Sequence, residues 1–128
     1  MKLKKYIIDT SQSIQHFNVV LYRIRALIDF DDIRAGDYGG YVESEKNLSH
    51  FGNCWIYDNA KVYGSGRVRS NAKVYNTAEV RCEATVSDNA KIFGEAIISG
   101  EAKVYGNAKV SGVVSIFDKS RVFDDAII

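Results

Sequence analysis

From Asn53 to Ile128 the sequence repeats every six residues without insertion or deletion. The fourth position of each hexad reads Ile56, Val62, Val68, Val74, Val80, Val86, Ile92, Ile98, Val104, Val110, Ile116, Val122 and Ile128, every one β-branched. The second position reads Cys54, Ala60, Gly66, Ala72, Ala78, Ala84, Ala90, Ala96, Ala102, Ala108, Val114, Ser120 and Ala126, nearly all small. So short a period marks a solenoid, in which each coil buries its apolar face only by stacking on its neighbours. The small and the branched residue stand two apart and therefore point to the same side of a strand. The residues flanking the branched one, such as Lys61 and Tyr63 around Val62, then point outward. The two remaining positions are rich in residues that tolerate left-handed backbone angles, as at Asp58-Asn59, Gly64-Ser65, Asn76-Thr77, Asp88-Asn89 and Gly106-Asn107, and these make sharp corners. Helix is disfavoured, because six matches no multiple of 3.6 closely and β-branched residues dominate.

The hexads NAKVYG at 59–64, NAKIFG at 89–94, EAKVYG at 101–106 and NAKVSG at 107–112 resemble those of the hexapeptide-repeat superfamily. The resemblance implies an all-β fold, a left-handed parallel β-helix with three hexads per triangular coil. That hand is opposite to the usual crossover between parallel strands and is implied by the resemblance alone. Glycine follows the aliphatic residue by two positions here, whereas the family often has it directly after. The expected architecture is about four coils stacked to a prism roughly 20 Å tall over residues 53–128, with residues 1–52 as an N-terminal cap.

The chain of 128 residues carries 17 basic and 16 acidic side chains, a net charge of +1, and the balance holds in both segments. Near-neutrality argues against a nucleic-acid binder driven by phosphate neutralisation. No apolar run approaches membrane-spanning length, and MKLKKYIIDT lacks the pattern of a signal peptide. A cytoplasmic protein is expected, in the host cytoplasm if phage-encoded. Cys54 falls in the inward column and Cys82 at an outward corner, so the two thiols are expected apart and free.

In the first 52 residues the period changes. Tyr22, Ile24, Ala26, Ile28 and Phe30 alternate with Arg23, Arg25, Leu27 and Asp29, which reads as one amphipathic strand. Thr10 to Phe17 reads as a short helical turn capped by Thr10 or Ser11, and Gly36, Gly39 and Gly40 mark a tight loop. Carried backward, the hexad register sets Val42 and Leu48 in the small column and Ser44 and His50 in the branched one, a first coil with altered packing. YRIRALIDF (22–30) and AGDYGGYVESEKNLS (35–49) resemble the lead-in of hexapeptide proteins of bacterial, prophage and phage genomes, which implies a phage or mobile-element setting but no activity.

The best-known members of the superfamily are acyltransferases with a catalytic histidine and an acyl-CoA groove between subunits. This chain has only His16 and His50, and its repeat region has neither a histidine nor an extruded loop. His50, at a core-column position, is expected to be packed and hydrogen-bonded, and His16 remains possible as a base. No cofactor and no metal is expected. Positions eighteen apart stack on one face, so Tyr57, Tyr75 and Phe93 form one outward ladder and Trp55, Lys73, Lys91 and Lys109 its neighbour. A second face carries Arg67, Thr85, Lys103 and Arg121. The first pair of ladders is the candidate partner surface, to be weighed against a merely solvated face. Val113, Phe117, Phe123 and Ile127 form an apolar cluster in the last coil and are the self-association candidates, with a dimer favoured. The expected function is a non-catalytic, homo-oligomeric solenoid that binds a protein partner as a rigid scaffold, such as a phage-encoded inhibitor of a host protein; the alternative is an acyl-CoA-dependent acyltransferase.

Overall fold

The computed structural model describes residues 4–128. Each hexad of the repeat forms a two-residue strand, beginning with Trp55–Ile56, Lys61–Val62 and Arg67–Val68. The strands run parallel to those eighteen residues on, with Trp55 opposite Lys73 and Lys73 opposite Lys91. Three flat faces result, about five turns are stacked, and the whole fits a left-handed β-helix. Outward residues carry the ladder: Tyr57 N–H donates to the Val74 carbonyl at 2.8 Å and Tyr63 N–H to Val80 at 3.0 Å. Corners close by a bond three residues back, as from Ala60 N–H to the Tyr57 carbonyl at 3.1 Å. The residue after each such carbonyl has positive φ, 57° at Asp58, 59° at Asn76, 59° at Cys82 and 66° at Gly94. Hence the residue two after the aliphatic is Gly, Asn or Asp in most hexads. From Ala60 to Val110 both inward columns are fully or almost fully buried.

Strands β1 (Tyr6–His16), β2 (Val19–Ala26) and β3 (Tyr38–Val42) form an antiparallel sheet. Its last member pairs in parallel with Lys61–Val62 and so joins one face of the solenoid. Of the segment expected to be a helical turn, Thr10 to Phe17, residues Thr10 to His16 belong to β1 and Phe17 (φ 57°) starts the turn after it. Pairing with β2 overrides the capping signal, and Ser11 spends its backbone N–H on Asp9 (3.0 Å) where the register shifts. The single strand expected over 22–30 ends at Ala26. Leu27 and Ile28 are exposed, and Phe30 exchanges two backbone bonds with Ile33 around Asp31 (φ 48°). Gly39 and Gly40 cross the first coil so closely that a Cβ on either would stand 2.5 Å from a carbonyl, that of Ile56 or Ala60.

The first coil corrects the backward register. Val42 pairs with Val62 and Leu48 with Val68, twenty positions apart, while Ile56 pairs with Val74 at eighteen. Val42 and Leu48 thus belong to the branched column, not the small one, and neither Ser44 nor His50 is a core-column residue. Two extra residues between Leu48 and Ile56 cause the offset, so this step takes eight residues where every later one takes six. Gly52 turns it at φ 73°.

Asn47, at the end of a single 3-10 turn (Glu45–Asn47), is fully buried. Its Oδ1 accepts from the Glu43 and Ser44 N–H groups (3.0 and 2.9 Å), and its Nδ2 donates to the Gly64 and Gly66 carbonyls (3.1 and 2.8 Å). In the last coil Val113, Phe117, Phe123 and Ile127 are exposed, Val113 and Ile127 at 83% and 80%, while Phe123 stacks on Tyr105 with centroids 5.4 Å apart.

Candidate partner-binding face

One face of the prism carries the lysine ladder. Trp55, Lys73, Lys91 and Lys109 are direct cross-strand neighbours in that order, with rungs about 4.8 Å apart. Their environments diverge. Trp55, expected outward, is 1% exposed because the N-terminal sheet folds over it, with Tyr6 and Phe30 edge-on at 6.3 and 5.3 Å. Lys5 is buried with it, its Nζ donating to the carbonyls of Cys54 (2.6 Å) and Gly52 (3.2 Å) and lying 4.8 Å from the Phe30 ring centre. Burial lowers the pKa of that ammonium. Trp55 is therefore part of the junction between cap and coil and presents no ring to a partner.

Lys73 is engaged as well. It bonds Asp31 and the Tyr57 hydroxyl (3.0 Å), with Asp32 at 3.6 Å. Burial opposes its charge, but the bonds to Asp31 and Tyr57 hold the ammonium above its ordinary pKa. Tyr57 also donates to Asp32 at 2.8 Å, and burial pushes its phenol up to about 12. Lys91 and Lys109 differ from it, for among the described residues no carboxylate lies within 4.0 Å of either. Beside them Tyr57 meets Tyr75 edge-on at 6.1 Å, and Tyr75 stacks on Phe93 at 4.9 Å with planes 4° apart. Since Tyr75 and Phe93 lie face to face, that pair offers a partner its edges more than the faces turned to each other. A groove of about 270 Å³ runs between Asp32, Tyr57, Lys73, Tyr75 and Lys91.

On the other side of the lysines stands a ladder that the sequence reading passed over. Asn53, Asn71, Asn89 and Asn107 recur at eighteen residues, which was the available signal. Asn71 Oδ1 accepts from the Asn53 N–H (3.1 Å), Asn89 Nδ2 reaches Asn107 Oδ1 (3.4 Å) and Asn107 Nδ2 reaches Asp125 (3.2 Å). A shallow depression of about 440 Å³ lies along the Asn and Lys rows. The Arg67, Thr85, Lys103 and Arg121 ladder is aligned as expected on another face.

The histidines sit elsewhere. His50 is hydrogen-bonded but outside the core: its Nδ1 accepts from the Lys5 N–H (3.0 Å), its Nε2 pairs with Glu45 Oε1 (3.0 Å), and its ring stacks on Tyr6 at 4.1 Å. A lone pair already accepting a backbone bond leaves this ring no free basic nitrogen. His16, at the end of β1, pairs through Nε2 with Glu79 (3.2 Å), which also accepts from the Tyr63 hydroxyl (2.9 Å). Cys54 is buried and Cys82 exposed, both free, and burial pushes the Cys54 thiol up. Among the described residues no three His, Cys, Asp or Glu side chains gather as for a metal ion, and no helix is long and apolar enough to cross a membrane.

No family model matches the sequence. A protein of Escherichia coli (strain K12) described as the uncharacterized acetyltransferase YdcK is 50% identical over 48 residues. The matched segment is 37% of this chain and only 15% of the relative's length. Together with the stacked parallel solenoid, this relative supports the hexapeptide-repeat superfamily.

Proposed function

We infer that this chain is a rigid, non-catalytic solenoid whose lysine face docks an acidic protein partner. The observation that carries the reading is the pair Lys91 and Lys109, adjacent on neighbouring rungs and without a carboxylate, whereas Lys73 on the same ladder is matched by Asp31 and Asp32. Like charges directly opposite one another across a ladder repel, and a partner's carboxylates would relieve that cost. The gap-free stack supports the reading by fixing the backbones of both lysines relative to Tyr75 and Phe93. Self-association through Val113, Phe117, Phe123 and Ile127 belongs to the same proposal, with a second copy covering those side chains. The phage-like lead-in suggests a host-directed inhibitor as its specific form.

Native mass spectrometry on the protein gently purified from cells that naturally produce it tests both parts, reading homo-oligomer and partner masses together. Lys91→Glu with Lys109→Glu is expected to release a stoichiometric acidic partner while leaving the melting temperature within a few degrees, since both side chains lie on the surface. Retention of the same partner by the double variant sinks the reading.

A second reading, acyl transfer, is favoured by the name of the relative and by the His16–Glu79 pair, in which a carboxylate orients an imidazole as a general base requires. It predicts a saturable rise in melting temperature with acetyl-CoA, corresponding to about 2.7 kcal/mol at a hundredfold excess over Kd. Absence of any shift across a panel of acyl-CoA donors tells against it.

A further inference from the structure

The eight-residue step in the first coil does more than offset the register. Residues 48–51 of this step lie beside residues 67–69, with Ser49 N–H on the Val68 carbonyl (3.0 Å), and together they line a groove of about 500 Å³. Its apolar side-chain surface is that of Phe51, 65% exposed, since Leu48 and Val68 are all but buried at 1% each. Lys46, Arg67 and Arg69 stand around it, and Lys4, Glu45 and His50 close one side. Glu45 is the one carboxylate among the described lining residues, and it is shared between His50 (3.0 Å) and Lys4 (3.3 Å). Among the described residues no carboxylate lies within 4.0 Å of Lys46, Arg67 or Arg69. In a chain of net charge +1, three unmatched cations around one concavity are a local excess.

We propose that this groove binds a small organic phosphate, with Arg67 and Arg69 holding phosphate oxygens and the organic part packed on Phe51. Guanidinium groups present a planar fork that matches phosphate geometry, so two of them favour a multiply charged oxyanion over a lone carboxylate. A cleft lined by one sign of charge focuses the field on its contents. The apolar lining adds a requirement that a free inorganic ion cannot meet. Sites for small molecules span about 300–1,000 Å³ and combine apolar walls with a few convergent polar groups, and this groove does both. The site is separate from the lysine face and does not depend on the function inferred for it.

Titration of the full chain with ADP and with inorganic pyrophosphate, followed by backbone-amide NMR and calorimetry, tests the proposal. ADP is expected to saturate at sub-millimolar concentration, to shift amides of residues 45–51 and 67–69, and to bind about ten-fold tighter than pyrophosphate. Arg67→Gln with Arg69→Gln, both exposed in the wild type, is expected to weaken ADP by about ten-fold or more, with an unchanged circular dichroism spectrum. Lys91→Glu with Lys109→Glu, on another part of the surface, is expected to keep the wild-type affinity. The proposal is overturned if ADP does not saturate by several millimolar, if the amide shifts fall outside the groove, if pyrophosphate binds as tightly as ADP, or if the two double variants behave alike. The amide map of the wild-type chain decides the matter should the arginine variant fail to fold.

Discussion

Replacing Trp55 by alanine is expected to cost about 3–5 kcal/mol, as for other buried aromatic truncations, and to lower the melting temperature by on the order of 10–20 °C. The indole is 1% exposed and fills the junction where three separate pieces of chain converge: Tyr6 on β1, Phe30 beyond β2 and the first regular rung of the solenoid. Relaxation into the cavity is hindered on every side. The rung below is fixed by backbone bonds from Trp55 to Ala72 and from Tyr57 to Val74, and the cap is pegged by Lys5 on the Gly52 and Cys54 carbonyls. Tyr75→Ala provides the contrast, because that ring is only half buried and its loss leaves a notch open to water; a drop of a few degrees is expected. Thermal unfolding followed by far-ultraviolet circular dichroism measures both. Equal shifts for the two would mean that the cap does not rest on Trp55.

The same tryptophan shows where a periodic sequence stops being informative. Its alignment with Lys73, Lys91 and Lys109 follows from the eighteen-residue spacing and holds in the structure. Its burial does not follow, because exposure on that rung is decided by Tyr6 and Phe30 in the non-periodic segment, 49 and 25 residues earlier in the sequence. The regular coils were legible for a physical reason, since every contact in a solenoid repeats at one separation and each residue's neighbours can be read from its position in the hexad. Extended one step further back, that rule misplaces the first coil. The branched and small columns stand two positions apart, so an offset of two residues exchanges them, and the apparent trade of large for small at Val42 and Leu48 was that offset. β1 is obscured differently: Thr10 and Ser11 carry a capping signal, but pairing with β2 on both sides of them, over residues 6–9 and 13–16, outweighs a single local bond. The cationic groove is hidden for the same cause as the offset, because Arg67 and Arg69 become its rim only once residues 48–51 are known to lie beside them.

Asn47 is the second residue whose loss should be severe, and no periodicity marks it. Its carboxamide joins the 43–47 turn to the solenoid corner at Gly64–Gly66 through two accepted and two donated backbone bonds. Asn47→Leu keeps the volume and strands those four backbone groups, each worth about 1–3 kcal/mol when fully buried. Three of the four bonds are only partly buried, where water can substitute, so a loss of about 3–5 kcal/mol is expected. Asn47→Asp separates the bonds from the packing. The carboxylate still accepts from Glu43 and Ser44, but it faces the Gly64 and Gly66 carbonyls without a donor. Burial and those two dipoles raise its pKa above the unfolded value, so the folded variant binds the extra proton and its stability falls as pH rises through that range. Measured against wild type by urea denaturation, the deficit of Asn47→Asp is expected to be smaller at pH 5 than at pH 8, while that of Asn47→Leu stays constant. A deficit independent of pH in both variants would assign Asn47 to packing alone.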